Sequence, residues 1–138
     1  MAWILTCVWA VLLTGCGGGD RPPPPATVQV SGTVTLDSQP MQGGEVRFYV
    51  TGQPAKILKV QAGAIAGEVF VGQNRIEVVW LQEGPPNPMD PAQKILVNVV
   101  DTRFSGAQSP FRQEIPLTGA SDLKFAVTSS RTEAGPEN

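Results

Sequence analysis

The sequence predicts an all-β protein built as a single antiparallel β-sandwich of about seven or eight strands. Three observations lead to this class. Apolar and polar residues alternate along several short segments, turn-forming residues separate those segments, and after the N-terminal segment no stretch shows sustained apolar spacing of three and four. Residues 27–130 give roughly 100 residues, which is enough to bury one core without disulfides.

The clearest predicted strand covers residues 28–36. Its side chains alternate between apolar and polar, as in a strand with one buried and one solvated face. The predicted inward positions are Val28, Val30, Gly32, Val34 and Leu36.

A second alternating run follows over residues 45–50. Val46, Phe48 and Val50 lie on its apolar side, and Tyr49 lies on its polar side. Residues 37–40 between the two runs are rich in turn formers, so we expect the two runs to pair as a hairpin.

The remaining strands are predicted in order along the chain. Residues 56–62, 65–71 and 75–81 have strand length and β-branched content, and residues 72–74 are expected to form a turn. The nearly continuous apolar run at residues 95–100 indicates a strand buried on both faces. Pro116 confines the segment 112–118 to a sheet edge. The last strand, residues 123–127, directs Leu123, Phe125 and Val127 inward.

Two features are candidates for an interaction surface. Residues 82–93 form a long segment with four prolines and Met89, which we interpret as a crossover between sheets or, alternatively, as a functional loop. Tyr49, on the polar side of its strand, is available to stack on a sugar or on a partner side chain. Trp80 shares its parity with Ile76 and Val78, and we therefore expect it in the core.

The N-terminal segment is typical of an export signal. Residues 2–13 are apolar, and this run is shorter than the roughly 20 residues that span a bilayer. The residues Leu13, Thr14, Gly15 and Cys16 that end the segment resemble the lipobox of bacterial lipoproteins. The resemblance implies that signal peptidase II cuts before Cys16 and that Cys16 receives a diacylglycerol and a further acyl chain, which together hold a protein firmly to a membrane.

The alternative interpretation, a buried N-terminal helix with Cys16 as a core thiol, is disfavoured by the three glycines that follow. Removal of residues 1–15 also removes Cys7, so the acylated mature chain keeps no free thiol and forms no disulfide. Residues 16–26 then form a glycine- and proline-rich linker, residues 27–130 form the sandwich domain, and residues 131–138 form a disordered tail.

The start of the domain carries a second resemblance. Residues 30–48, VSGTVTLDSQPMQGGEVRF, are similar to the opening of carboxypeptidase-regulatory-like, transthyretin-like β-sandwich domains, which are abundant in small lipoproteins of planctomycete-type bacteria. The closing stretch, from Ile95 to Val127, also resembles the end of those proteins. The resemblance implies that the shared residues belong to the scaffold. The middle of the domain lacks the acidic hairpin of that family, so no calcium role is carried over.

Composition excludes several function classes. The chain has no His, which removes imidazole bases and His-ligated metal sites. The net charge is −2 with scattered Lys and Arg, so no basic stripe is present and nucleic acid is not an expected partner. The carboxylates are dispersed along the sequence, and no local Ser-x-x-Lys or Gly-x-Ser-x-Gly motif occurs. We expect neither a metal nor a cofactor.

These features predict a non-catalytic, lipid-anchored protein of the bacterial cell envelope, exported to face the periplasm or the outer membrane. Its β-sandwich is expected to serve as a structural or protein-interaction module. The expected partners are the membrane, through acylated Cys16, and an envelope protein or glycan. The alternative is a carbohydrate- or small-ligand-binding module, for which Tyr49 and Met89 are the candidate surface residues. A hydrolase is the less favoured third possibility.

Overall fold

The computed structural model describes Gly19 and residues 21–130. Within that part, the chain forms ten strands and two single-turn 3-10 helices over Thr102–Phe104 and Gly106–Gln108. The strands are β1 (Thr27–Leu36), β2 (Gln39–Pro40), β3 (Glu45–Tyr49), β4 (Lys56–Lys59), β5 (Ala64–Phe70), β6 (Gly72–Val79), β7 (Leu81–Asn87), β8 (Asp90–Asn98), β9 (Phe111–Ile115) and β10 (Ala120–Val127). The predicted signal segment, the lipidation site Cys16 and the predicted tail 131–138 lie outside the described residues.

Two four-stranded sheets form the body of the domain. Sheet A has β1 at its centre, with β10 on one side and β5 and β2 on the other. Sheet B has the order β4-β3-β6-β9 and is antiparallel throughout. Within residues 21–130, the pairing of β1 with β10 is the one parallel pairing. The predicted all-β sandwich is therefore confirmed, with one parallel pair in place of a fully antiparallel arrangement.

The two sheets share one hydrophobic core. Alternate residues of the strands point inward, as the sequence pattern predicts for β1, β3 and β10. The Phe48 ring of sheet B meets the Phe125 ring of sheet A edge to face, with centroids 6.3 Å apart. The buried cluster comprises Val30, Val34, Met41, Val46, Phe48, Leu58, Val60, Ile65, Val69, Ile76, Val78, Val100, Phe104, Ile115, Leu123, Phe125 and Val127.

The predicted hairpin between β1 and β3 is wrong, because these strands belong to different sheets. Asp37 and Ser38 both have positive φ, at 50° and 66°, which is the conformation of a type I′ turn. This turn reverses the chain into the two-residue strand β2. Met41 then enters the core, where it is 1% exposed, and the chain crosses to sheet B.

The predicted turn at residues 72–74 is also displaced. Gly72, with φ 101°, already belongs to β6, and the Asn74 side chain is buried. The Asn74 amide donates to the carbonyls of Phe70 and Gly72 at 2.9 and 3.0 Å. The reversal from β5 to β6 is therefore tighter than the sequence pattern predicts.

The two C-terminal strands are present, but their bounds differ from the predicted ones. β9 occupies the edge of sheet B as predicted, but it ends at Ile115, just before Pro116, and does not continue to residue 118. β10 begins three residues earlier than predicted, at Ala120. Leu123, Phe125 and Val127 of β10 are buried, as their parity predicts.

The largest departure from the sequence prediction lies between β6 and the 3-10 helices. The proline-rich segment predicted as a loop is a β-hairpin of β7 and β8, paired antiparallel from Leu81–Asn98 to Asn87–Asp90. The run at residues 95–100, predicted as buried on both faces, is exposed along Ile95, Leu96 and Val97. An apolar run without alternation does not reveal whether a strand has neighbours above and below it. We call this hairpin the ribbon.

Gly32 provides the close approach between β1 and β10. A Cβ atom at this position would lie 2.4 Å from the Leu123 carbonyl oxygen. The substitution Gly32→Ala is expected to lower the free energy of unfolding by about 1–3 kcal/mol, because a backbone atom cannot move aside as a flexible side chain does. Urea unfolding of the variant tests this, with Ser31→Ala on the solvent side of β1 as the control. An unchanged unfolding midpoint for Gly32→Ala would contradict the described packing.

Candidate functional site

The two candidate ligand residues do not form one site. Tyr49 ends β3 and pairs with Arg75 near the start of β6. Met89 lies in the turn between β7 and β8, at the tip of the ribbon, and its side chain is 93% exposed. The ribbon begins only after β6 has ended, whereas Tyr49 lies beside the start of β6. The structure therefore presents two separate surfaces, one around Tyr49 and one on the ribbon.

The Tyr49 surface is a shallow groove of about 480 Å³ on the solvent side of sheet B. The Arg75 guanidinium lies 4.6 Å from the centre of the Tyr49 ring, in cation-π contact. Arg75 also pairs with Glu77, Nη2 to Oε1 at 3.1 Å. The groove is lined by Tyr49, Val50, Thr51, Gln73, Asn74, Arg75 and Arg112.

Arg112 adds a second cation to this groove. It lies directly opposite Arg75 in the pairing of β6 with β9. Its Nη1 donates to the carbonyls of Ser109 and Phe111, at 2.6 and 3.1 Å, and among residues 21–130 it has no carboxylate within 4.0 Å. An aromatic ring beside an arginine without a carboxylate partner favours an anionic ligand.

The ribbon carries most of the exposed large apolar side chains of the described domain. Ile95, Leu96 and Val97 are 42%, 61% and 42% exposed, and Leu81 on the facing strand is 49% exposed. Leu81 and Leu96 lie on one face of the ribbon, Ile95 and Val97 lie on the opposite face, and Met89 lies at the tip. Such surfaces in soluble domains commonly mark contact sites for other molecules.

Both faces of the ribbon are apolar. On one face Leu81 and Leu96 lie near the ion pair between Lys94 and Glu83, whose Nζ and Oε2 atoms are 2.7 Å apart. On the other face Val97 packs over Gly84, where an added Cβ would lie 2.5 Å from Val97 Cγ2. Both faces of the ribbon therefore carry apolar side chains, whereas the solvated face of a strand pair normally carries polar ones.

The Asn98 side chain fixes the root of the ribbon. Its Oδ1 accepts hydrogen bonds from the backbone N–H of Trp80 at 3.0 Å and of Val100 at 3.2 Å. The Ser130 hydroxyl donates to the carbonyls of Asn98 and Val100, at 2.9 and 3.0 Å. Trp80 is half-buried against the core, so the expectation that it is a core residue holds only for part of its ring.

A cleft of about 490 Å³ lies at this root, beside Trp80 and Leu81. Glu45 at its rim accepts hydrogen bonds from Arg47 Nε at 2.6 Å and Lys59 Nζ at 3.0 Å. Burial alone raises the pKa of Glu45, but the hydrogen bonds and charges of Lys59 and Arg47 outweigh it and place that pKa below its usual value of 4.5. The rim is therefore an ionised carboxylate flanked by two cations.

Metal-binding and membrane-spanning features were sought in the part of the chain that the structure describes. Over Gly19 and residues 21–130, no group of three or more His, Cys, Asp and Glu residues lies close enough to hold a metal ion. Over the same residues, no helix has the length and apolar character to cross a membrane.

Sequence reasoning identified Tyr49 but missed Arg75, Arg112 and the ribbon. The sequence does contain one indication of the hairpin turn, because the turn-forming residues Asn87 and Asp90 flank Pro88 and Met89. Asn87 Oδ1 accepts the Met89 N–H at 2.9 Å, and Asp90 Oδ1 accepts the Ala92 N–H at 3.2 Å. Such Asx interactions stabilise reversals between strands.

Comparison with known proteins gives one structural likeness. No protein-family model matches the chain. No curated protein matches it either. A solved structure of a DUF3823 family protein from Parabacteroides merdae ATCC 43184 is similar, with 17% identity and a TM-score of 0.40. The alignment covers 78% of this chain and 48% of that protein, so the chain spans about half the length of that protein.

Proposed function

We propose that the chain is a non-catalytic, lipid-anchored protein of the bacterial cell envelope, and that its β-sandwich presents the ribbon to a protein partner. The observation that carries this proposal is the apolar surface of the ribbon, in which Leu96 and Met89 are 61% and 93% exposed. The core residues of the domain are buried, so the exposed apolar side chains of the ribbon stand out from the rest of its surface. Exposed apolar patches of this kind commonly mark a contact site for another molecule.

The proposed anchor rests on the sequence. The apolar run at residues 2–13 and the lipobox-like residues up to Cys16 support export followed by acylation. Residues 21–25 are exposed and lie outside any strand, and β1 begins two residues later, at Thr27. A proline-rich linker of this kind acts as a spacer between an anchor and a folded domain.

The linker and the ribbon lie at opposite ends of the sandwich. The linker joins β1 at Thr27, and β1 then runs for ten residues, or about 30 Å, to Leu36. Leu36 pairs with Val127, and Ser129 just beyond it bridges Val100 at the root of the ribbon. A ribbon at the end distal to the tether supports a partner outside the lipid surface.

The non-catalytic role is supported by the residue inventory. The chain lacks His, and two of the three carboxylates of sheet B are engaged in ion pairs: Glu45 with Arg47 and Lys59, and Glu77 with Arg75. The third, Glu114, is exposed on the edge strand β9. Paired carboxylates of this kind stabilise a sheet surface and leave no free base beside a nucleophile.

A photo-crosslinking amino acid at Leu96 tests the proposal in the native cell. In the full chain, this variant is expected to form a covalent complex with a protein of the envelope fraction. The matched control places the same amino acid at Leu117, which is 75% exposed but lies between β9 and β10. Crosslinks at Leu96 are expected to exceed those at Leu117 several-fold, because only the ribbon is in contact with a partner.

The anchor is tested in the same cells. An alkyne fatty acid is expected to label the wild-type chain but not Cys16→Ala, and the variant should lose the Leu96 crosslink as it leaves its membrane. Equal crosslinking at Leu96 and Leu117 would contradict the interaction role. Labelling of both chains, or of neither, would contradict the anchor.

A second candidate function is a carbohydrate- or small-ligand-binding module. The groove around Tyr49 favours it, because a partly exposed aromatic ring and Arg112 suit an acidic sugar. The separation of Tyr49 from Met89 means that this site would not include the ribbon.

An array of acidic glycans tests this second function. If the groove binds such a ligand, Tyr49→Ala should weaken retention about tenfold, which corresponds to roughly 1.4 kcal/mol. Tyr49→Phe keeps the ring and should retain binding, and Met89→Ala should leave it unchanged. No retention of the wild-type chain on any glycan would eliminate this function.

A further inference from the structure

Opposed positions on the solvent side of sheet B carry unlike charges at two places. Glu45 of β3 lies opposite Lys59 of β4, and Arg47 of β3 lies opposite Glu77 of β6. Unlike charges in directly opposed positions of neighbouring strands stabilise a sheet. The charges on this part of the sheet are therefore matched.

The Tyr49 groove departs from this pattern. Arg75 of β6 lies directly opposite Arg112 of β9, which places their Cβ atoms about 5 Å apart. Among the paired positions of the described strands, these two residues are the one pair of like charges. Like charges in such positions repel each other and lower stability. An anion bound between the two arginines would relieve this repulsion.

Ion pairs within the domain offset only part of this positive charge. Arg75 Nη2 lies 3.1 Å from Glu77 Oε1, whereas Arg112 has no carboxylate within 4.0 Å among residues 21–130. Glu114, two residues further along β9, is exposed and lies opposite Gln73. No cation of the described residues lies within 4.0 Å of the Glu114 carboxylate either. The Arg112 charge is therefore left without an ion pair.

Both guanidinium groups keep donors for a ligand. Each guanidinium carries five N–H donors. Arg75 uses Nη2 toward Glu77, and Arg112 uses Nη1 toward the carbonyls of Ser109 and Phe111. These carbonyl bonds hold the Arg112 side chain in place, and its Nε and Nη2 groups remain for an anion.

Two neighbouring guanidinium groups favour a phosphate monoester over a carboxylate. One guanidinium can pair with both oxygens of a carboxylate through two parallel hydrogen bonds. A phosphate monoester has a charge of about −1.5 to −2 at pH 7 and three acceptor oxygens, so it can accept hydrogen bonds from two guanidinium groups at once. Arg75 and Arg112 supply two such groups from neighbouring strands.

We infer that the Tyr49 groove binds a phosphate monoester, with its oxygens accepting hydrogen bonds from Arg75 and Arg112 and with Tyr49 beside the group that carries the phosphate. This inference rests on the second candidate function and names the class of anion. Val71, just before β6, donates its N–H to the Ala26 carbonyl at 2.9 Å, so the groove lies at the end of the domain that receives the linker. The same phosphate chemistry occurs on sugars and on lipid headgroups.

Equilibrium binding to the full chain, purified in a non-ionic detergent, tests the class of anion. Glucose 6-phosphate is titrated at constant ionic strength, and glucuronate serves as the carboxylate comparison. The wild-type chain is expected to bind glucose 6-phosphate about tenfold more tightly than glucuronate, because only the phosphate can pair with both arginines. Equal or tighter binding of glucuronate would overturn the inference.

Substitutions test the residues. Arg112→Gln should weaken the binding of glucose 6-phosphate about tenfold, which corresponds to roughly 1.4 kcal/mol. Arg112→Lys keeps the charge but loses the planar fork, so its loss should be smaller. The matched control is Arg103→Gln, because Arg103 also lies over an aromatic ring, that of Phe104 at 4.8 Å, but outside the groove. Equal losses in Arg112→Gln and Arg103→Gln would indicate a general attraction of anions and overturn the inference.

A gain of binding covers the case in which a substitution disturbs the fold. Glu114→Gln removes the carboxylate two residues from Arg112 and should strengthen the binding of glucose 6-phosphate about twofold to threefold. A misfolded chain would not show this gain. Unchanged or weaker binding by Glu114→Gln would contradict the placement of the phosphate beside Arg112.

A second ester separates the two sources of phosphate. Glycerol 3-phosphate carries the phosphate of a lipid headgroup without a sugar ring. For a sugar phosphate, glucose 6-phosphate should bind more tightly than glycerol 3-phosphate, and Tyr49→Ala should remove the difference. For a lipid headgroup, the two esters should bind equally. Each of these results supports the inference and assigns the source, whereas binding of neither ester overturns it.

The failure of this inference is distinguishable from the failure of the function on which it rests. If glycans that carry only carboxylates are retained through Tyr49 while neither ester binds, the groove remains a ligand site and phosphate recognition is refuted. If neither glycans nor esters bind, both are refuted. The crosslink at Leu96 tests the ribbon independently of either result.

Discussion

The hydrogen bonds of the Asn98 side chain hold the ribbon in place. β6 and β7 are nearly continuous, and the chain passes from one to the other through Trp80. Because Asn98 Oδ1 accepts the N–H groups of both Trp80 and Val100, β7 and β8 are joined where they leave the sandwich. The strands beside β6 are shorter than this combined strand, so the ribbon extends beyond its sheet and its apolar side chains remain exposed.

The two ends of the sandwich have different surroundings. The end at Thr27 receives the linker, and the Tyr49 groove lies nearer to this end because Tyr49 pairs with Arg75 early in β6. The end at Leu36 holds the root of the ribbon. We propose that a lipid anchor holds the domain at the Thr27 end. The exposed apolar side chains at the opposite end are then placed to contact neighbours in the envelope.

Local pattern predicted the parts of the fold that depend on it. The buried positions of Phe48 and Phe125 follow from the alternation of apolar and polar residues. The tight packing at Gly32 follows from the absence of a side chain there. The partner of each strand depends on distant residues, so the sequence did not reveal that β1 pairs with β10. The run from Ile95 to Val97 has the same composition whether it is buried or exposed. Tyr49 was identified, but Arg112 lines the same groove only because β6 pairs with β9.

Residue-resolved amide hydrogen exchange tests the exposed ribbon most directly. Val99 donates its N–H to the Trp80 carbonyl, so the pair Gln82–Val97 is hydrogen-bonded and the Leu96 N–H points away from β7. In dilute protein, the Val97 N–H is expected to exchange slowly, and the Leu96 N–H is expected to exchange nearly as fast as in an unfolded chain. Slow exchange at both residues in dilute protein would mean that the β8 edge is already covered within one chain. Fast exchange at both would mean that the hairpin does not persist. Either result would contradict the account.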